Sequence, residues 1–152
     1  MPIRILAIGK KHEQWVQEGI ARYETRLKRP FVTEWVLLPH SSREGLQARE
    51  EESERLLARI RDDEFVVLLD ERGKLFDSPA LSTLLLEPLE HSKTVTIIIG
   101  GAYGVDTSVE SRANVVWSLS PLVFPHQLVR LILIEQLYRA QEIAQGNPYH
   151  HA

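Results

Sequence analysis

This sequence contains no cysteine, which excludes a disulfide framework and any thiolate metal site. No apolar run comes near the roughly 18 residues that a membrane-spanning helix requires, so no membrane partner is expected. The N-terminus lacks a basic region followed by an apolar stretch and a small-residue cleavage site, and no secretory signal is expected. Among the 6 histidines, His40, His91 and His126 are isolated and no His-x-x-x-His spacing occurs, so no metal is expected. Both common phosphate-binding signatures are missing. Gly9 stands alone after the first strand, where a dinucleotide fingerprint would need further glycines, and there is no Walker sequence. A basic excess is missing as well: a net charge of −3 and a pI near 6.1 count against bulk, charge-driven nucleic-acid binding. A local patch can still serve an enzyme that visits one RNA site. Lys10, Lys11, Arg22, Arg26, Lys28 and Arg29 gather in the first fifth of the chain.

What is present is the composition of an ordinary globular protein, 43% apolar and 26% charged. A length of 152 residues fits one domain that buries roughly two thirds of its unfolded surface. No internal repeat or linker divides it. Residues 3–9 form an almost continuously apolar run, read as a central strand covered on both faces. Trp15, Val16, Ile20, Tyr23 and Leu27 recur at helical spacing and predict a helix over 13–28, stopped by Pro30. A strand over 32–38 ends at Pro39. The charged segment 43–61 predicts a solvated helix on a sparse stripe of Leu46, Leu56, Leu57 and Ile60, with Glu51 placed to pair with Arg55. Residues 65–70 predict a third strand, and Glu71-Arg72-Gly73-Lys74 a loop. Ser78-Pro79 supplies a cap and a first-turn proline for a helix carrying Leu81, Leu84, Leu85 and Leu89, with Pro88 obscuring its end. Strands over 94–99 and 114–118 precede a last helix over 126–144, ended by Gly146 and Pro148. Alternating helices and buried strands make this an α/β fold with a mainly parallel sheet.

The last third carries the chemistry. Its first strand runs straight into Gly100-Gly101-Ala102-Tyr103-Gly104, and glycines after a buried strand let a ligand lie against bare backbone. The next strand leads into a loop from Ser118 to His126, rich in Pro and Ser and long for so compact a domain. Two such loops at the carboxyl ends of strands point to a small-molecule pocket, which the tail Asn147-Pro148-Tyr149-His150-His151 can close. Plainer readings stand beside these: a tight turn, a simple connection, a disordered chain end. Asp70 sits where functional carboxylates are common, yet it can equally cap the following turn. Trp15, Trp35 and Trp117 read as core or interface aromatics. From Leu128 to Ile134 only Arg130 interrupts the apolar residues. A helix apolar around most of its girth packs on the sheet with one side and on a second subunit with the other, unless it is a core helix with partial exposure. Arg130 is then paired at the dimer contact or aimed at an anionic ligand, since a buried unpaired arginine is too costly.

Taken in order, several segments resemble one family. They are Leu68-Leu69-Asp70, Ile99-Gly100-Gly101-x-x-Gly104, Trp117-Ser118-Leu119-Ser120, Phe124-Pro125-His126-Gln127-Leu128-Val129-Arg130, Glu135-Gln136-Leu137-Tyr138-Arg139-Ala140 and Pro148-Tyr149-His150. The pattern is similar to that of the bacterial large-subunit ribosomal RNA pseudouridine N3-methyltransferases, small members of the SPOUT superfamily. The opening Ile5-Leu6-Ala7-Ile8-Gly9-Lys10 is also similar, and the resemblance covers the whole chain, loosely only between Ser41 and Arg61.

The resemblance implies one SPOUT methyltransferase domain over 1–152: an α/β knot with a C-terminal trefoil knot over about 65–152, dimeric through its last helix and cytoplasmic. It implies S-adenosyl-L-methionine as methyl donor, held by Leu69, Gly100, Leu119, Ser120, Pro121, Leu122, Val123 and Phe124. Large-subunit ribosomal RNA, in assembled ribosomes, is the implied partner, methylated at N3 of a pseudouridine. His150 would handle the proton, Tyr149 would hydrogen-bond or stack, and Arg130 or His126 would stabilise charge. The same pocket would serve a knotted methyltransferase acting on another RNA base. A non-catalytic ribosome-associated dimer would keep the fold and lose donor binding.

Overall fold

The computed structural model describes residues 2–149. Its elements are β1 (Ile3–Ile8), α1 (Gln14–Glu24), β2 (Thr33–Leu38), α2 (Gly45–Leu57), β3 (Phe65–Leu75), α3 (Ser78–Glu90), β4 (Val95–Ile99), α4 (Thr107–Arg112), β5 (Val115–Ser118) and α5 (His126–Ala144). The five strands form one sheet in the order β2-β1-β4-β3-β5, and every pairing is parallel. The expected α/β class with a parallel sheet is the observed one. No helix among the described residues is long and apolar enough to cross a membrane.

Alternation along the strands divides the core in two. Ile3, Ile5, Ala7, Val67, Ile97 and Ile99 face α1, α3 and α5, whereas Leu6, Ile8, Val66, Leu68 and Ile98 face α2 and α4. Strands apolar on both faces are what a sheet covered on both sides requires. The amino-terminal edge of the sheet is closed by the buried carboxylate of Glu64, which accepts from Arg4 Nη1 at 2.9 Å, the Arg61 backbone N–H at 2.8 Å and the Thr96 hydroxyl. The carboxyl edge stays open, and the cavities described below lie there.

Several expectations need correction. Helix α1 ends at Glu24 and α2 covers only Gly45–Leu57, each shorter than its periodicity predicts. The inward face of α2 is Ala48, Glu52 and Leu56, and Leu46, placed on the predicted stripe, is 73% exposed. Asp77, not Ser78, caps α3, its side chain accepting from the Ala80 N–H at 2.8 Å, and the helix runs past Pro88 to Glu90. Short α4, capped by Asp106, had no sequence expectation at all. Most consequential is β3. It continues through the predicted loop to Leu75, and both Leu69 and Lys74 pair with Trp117, so Asp70–Gly73 bulge from the ladder. A Cβ on Gly73 would lie 2.6 Å from the Val116 carbonyl oxygen, so this crossing of β5 tolerates only glycine.

Helix α5 matches its predicted span and lies between α1 and α3. Leu133, Ile134 and Leu137 are fully buried, whereas Leu128, Leu131 and Ile132 stay half-buried on the opposite flank. Arg130 is held within its own chain by backbone. It is 1% exposed, and its guanidinium faces backbone carbonyls: Nη2 donates to Ile8 O at 3.0 Å and Gly9 O at 3.2 Å, and Nη1 to Lys11 O at 3.2 Å. Nη1 also lies 3.2 Å from His12 Nδ1, which must accept because a guanidinium nitrogen can only donate. Gln127 adds a bond from its Nε2 to Lys11 O and one to its Oε1 from the Glu13 N–H. The start of α5 therefore clamps the β1–α1 connection.

Two outcomes follow from this clamp. Arg130→Ala leaves buried carbonyls without donors and a cavity beside β1, and urea unfolding should read a loss of about 2–4 kcal/mol. His12 has a pKa held below its ordinary 6.5 by burial and then by the Arg130 charge. The unfolded chain thus takes up a proton that the folded ring refuses, and stability should fall as pH drops from about 7 to about 5.5. His12→Gln should flatten that slope in urea titrations at successive pH values, leaving what His126 contributes.

Candidate active site

Because all strands run parallel, the loops after β1, β3, β4 and β5 converge on one edge of the sheet. A cavity of about 930 Å³ there lies between the glycine loop after β4 and the loop after β5. Leu69, Gly100, Leu119, Ser120, Leu122, Val123, Phe124 and His126 all line it, so two loops distant in sequence do face each other. Pro121 is exposed and is not part of the lining.

Local chemistry shapes both walls. Ser118 Oγ donates to Ser120 O at 2.9 Å and Ser120 Oγ accepts from the Leu122 N–H at 3.0 Å, bending the loop back on itself. In the glycine loop, the Gly104 N–H meets Gly101 O at 3.0 Å in a turn that needs the φ of +75° at Gly104. Helix α2 holds this loop: Arg49 Nε donates to Tyr103 O at 2.8 Å and Ser53 Oγ accepts from the Asp106 N–H at 3.0 Å. Glu52, 2% exposed, accepts from the Ser41 N–H through Oε2, while its Oε1 has no partner and would lie 2.6 Å from a Cβ at Gly101. Arg49, Glu52 and Ser53 were missed by sequence reading. The spacing of Ala48, Glu52 and Leu56 was the available signal, since it puts a carboxylate on an inward stripe.

The cavity is acidic. Glu50, Asp70, Glu71, Asp106 and Glu110 line it against Arg49 and Arg72. Asp70 accepts from both the Arg72 N–H and its guanidinium at 2.9 Å, which holds its carboxyl below the usual range, so the turn-capping reading describes it. Apolar side chains stand open at the mouth, with Leu122 69% and Val123 75% exposed.

A second cavity, about 430 Å³, adjoins the first at Gly101, Ala102 and His126 and reaches the ends of β1 and β2. Arg130 lines it, and so do Lys10 and Lys11 from the basic cluster near the N-terminus. The pKa of His126 is lowered, first by burial and then by Arg130 and His40, so near neutral pH its ring is uncharged. It is a hydrogen-bonding or proton-accepting group there and not a standing cation.

Tyr149 lies elsewhere. Its ring packs edge-on to Tyr138 at 4.8 Å and under the Arg139 guanidinium at 4.8 Å. Tyr138 is three turns along α5 from His126, about 18 Å by helical rise, so the chain does not bring Tyr149 to its own cavity. His150 lies outside the described residues. Among those described, no group of three or more His, Cys, Asp or Glu is placed to hold a metal ion.

Comparison with known proteins bears on this arrangement. A family described as predicted SPOUT methyltransferase matches residues 1–150. A ribosomal RNA large subunit methyltransferase H from Prochlorococcus marinus is 44% identical over 97% of this chain and 94% of its own. Proteins of the same name from Desulfitobacterium hafniense and Alkalilimnicola ehrlichii are 43% and 40% identical, over 99% and 100% of both chains. A solved structure, that of a probable methylase family protein from Haemophilus influenzae, aligns with a TM-score of 0.57 over 99% of this chain and 70% of its own. Its 12% identity makes that a likeness of fold alone. With a family match over nearly its whole length and relatives this similar, the chain belongs to the SPOUT methyltransferase family.

Proposed function

We propose that this protein transfers a methyl group from S-adenosylmethionine to N3 of a pseudouridine in large-subunit ribosomal RNA, acting in the cytoplasm on assembled ribosomes as a homodimer. The observation that carries this reading is the acidic, partly apolar cavity with bare backbone at Gly100 and Gly101, fitting a donor that is cationic at sulfur and apolar along its adenosine. A side chain at Gly100 would press on Val105 Cγ1 at 3.0 Å, so backbone forms this wall. Leu69, Gly100, Leu119, Ser120, Leu122, Val123 and Phe124 would hold the donor, with Pro121 bending the loop around it. The relatives named as ribosomal RNA large subunit methyltransferases support the acceptor class.

When bound, S-adenosylmethionine supplies an electrophilic methyl group that needs no metal. The side chains of this protein have three tasks. The carboxylates around Asp70 and Glu110 attract a cation, while Leu122 and Val123 close over it and exclude water. The proton on an imide nitrogen must be taken up as that nitrogen reacts, and His150 is assigned that task, with His126 as the imidazole already in the cavity wall. Nη1 and Nη2 of Arg130 donate to carbonyls, so its charge would act through the cavity wall as a field favouring an anionic acceptor.

We assign one domain to 1–152, its C-terminal segment threaded as a knot from about residue 65 onward, with α5 as the dimer contact. The half-buried side chains of Leu128 and Ile132 support that contact. The distance from Tyr149 to its own cavity supports a tail that completes the cavity of the partner protomer. Tyr149 would there hydrogen-bond or stack against the acceptor.

Three measurements test this. Calorimetry should find donor binding on the order of micromolar, roughly −8 kcal/mol. His150→Ala should keep that affinity and lose methylation of purified ribosomes, and undiminished turnover would remove His150 from the mechanism. Ile132→Glu, which buries a charge in the proposed contact, should shift the protein to monomer in sedimentation and abolish turnover.

A further inference from the structure

The two cavities at the carboxyl edge carry opposite charge. Carboxylates dominate the larger, whereas the cations Lys10, Lys11 and Arg130 line the smaller beside the rings of His40 and His126, with the Glu52 carboxylate behind the wall at 3.9 Å from His40 Nδ1. Neither lysine makes an ion pair among the described residues, although both sit on a connection held rigid by Arg130 and Gln127. The floor is bare backbone. Gly9 has φ +120°, and a Cβ there would lie 2.9 Å from Arg130 Nη2 and 3.3 Å from His40 Nε2. The buried Nε of Arg130 has no partner.

We infer that this smaller cavity holds the acceptor nucleotide of an RNA, its phosphate against Lys10 and Lys11 and its base against Gly101 and His126. This rests on the methyl-transfer reading above and names the place of its acceptor. Methyl transfer requires donor and acceptor in contact, and the two cavities share Gly101, Ala102 and His126. A volume of about 430 Å³ admits one nucleotide and not a stacked helix, so the base enters turned out of its stack. Two rim lysines without an ion pair among the described residues, on the side of the cavity away from Glu52, favour an anion, and phosphate is the anion every RNA acceptor brings. A net charge of −3 for the chain would oppose such binding anywhere but at a local patch of this kind.

The test is the double variant Lys10→Glu/Lys11→Glu, with Lys10→Gln/Lys11→Gln as the milder form and Lys93→Glu, at the opposite edge of the sheet, as control. Calorimetric donor affinity should match wild type in all three. For the charge-reversed variant, KM for large ribosomal subunits should rise about tenfold. Its donor-free binding to subunits should weaken, and the slope of that binding against log salt should fall by about two. Lys93→Glu should change none of these. Unchanged KM and unchanged donor-free binding in the lysine variants would overturn the assignment, as would a loss confined to donor affinity. If wild type binds subunits yet methylates none, the functional reading falls, and the donor-free comparison still decides whether this cavity takes RNA.

Discussion

A buried guanidinium holds the working end of this molecule together. Arg130 sits on α5, which packs between α1 and α3, and among the described residues no carboxylate pairs with it. Left bare, a charge in that position would cost several kcal/mol. The carbonyls of Ile8, Gly9 and Lys11 and the ring of His12 surround it instead. That solution dictates geometry. The chain must leave β1 with its carbonyls turned inward, which Gly9 permits through its positive φ, and α5 must begin beside the end of β1. His126, one turn before Arg130, is thereby set where the two cavities meet. Both cavities thus depend on one side chain, which itself lines the smaller of them.

Charge is partitioned on a scale that whole-chain totals conceal. A pI near 6.1 argues against RNA, and over most of the surface that argument stands. At the carboxyl edge the acidic groups come from the β3 bulge, α2 and the loop and helix after β4, whereas the basic ones come from the connections after β1 and β2 and from α5. Within about one Debye length, roughly 8 Å at physiological salt, a ligand senses these neighbours more than the net charge. Two ligands of opposite sign can therefore lie side by side without competing for one site.

Much of this architecture was legible in the residues, and its failures share a cause. Helix α5 was readable to its ends because an apolar run, a glycine and a proline are all local signals. The strands were readable because burial on both faces leaves continuous apolar stretches. Gly73 was misread as a loop residue: glycine signals an unusual backbone but does not tell a turn from a bulge that a neighbouring strand must cross. Helix α4 has six residues and one buried apolar side chain, too little periodicity to detect. Glu52, Arg49 and Ser53 act through tertiary contacts with a loop some fifty residues away, and a charged helix gives no local hint of that. Arg130 was flagged as anomalous from sequence, but its carbonyl partners come from the other end of the chain. The residues lining the cavities were readable from motif resemblance; the framework that orients them was not.

The state of His126 follows from the same framework. Burial disfavours this imidazole as a cation, and the neighbouring guanidinium and second histidine push in the same direction. A neutral ring can still accept a hydrogen bond or a proton at the wall that the two cavities share. Arg130 contributes to both the location of this ring and its lowered pKa, placing it and adding to the effect of burial on its charge. A positive charge one turn behind His126, its Nη1 and Nη2 tied to carbonyls, leaves a field at the cavity wall that favours an anion. A lysine there would lack the guanidinium's paired nitrogens to reach Ile8, Gly9 and Lys11 together, so the position demands arginine.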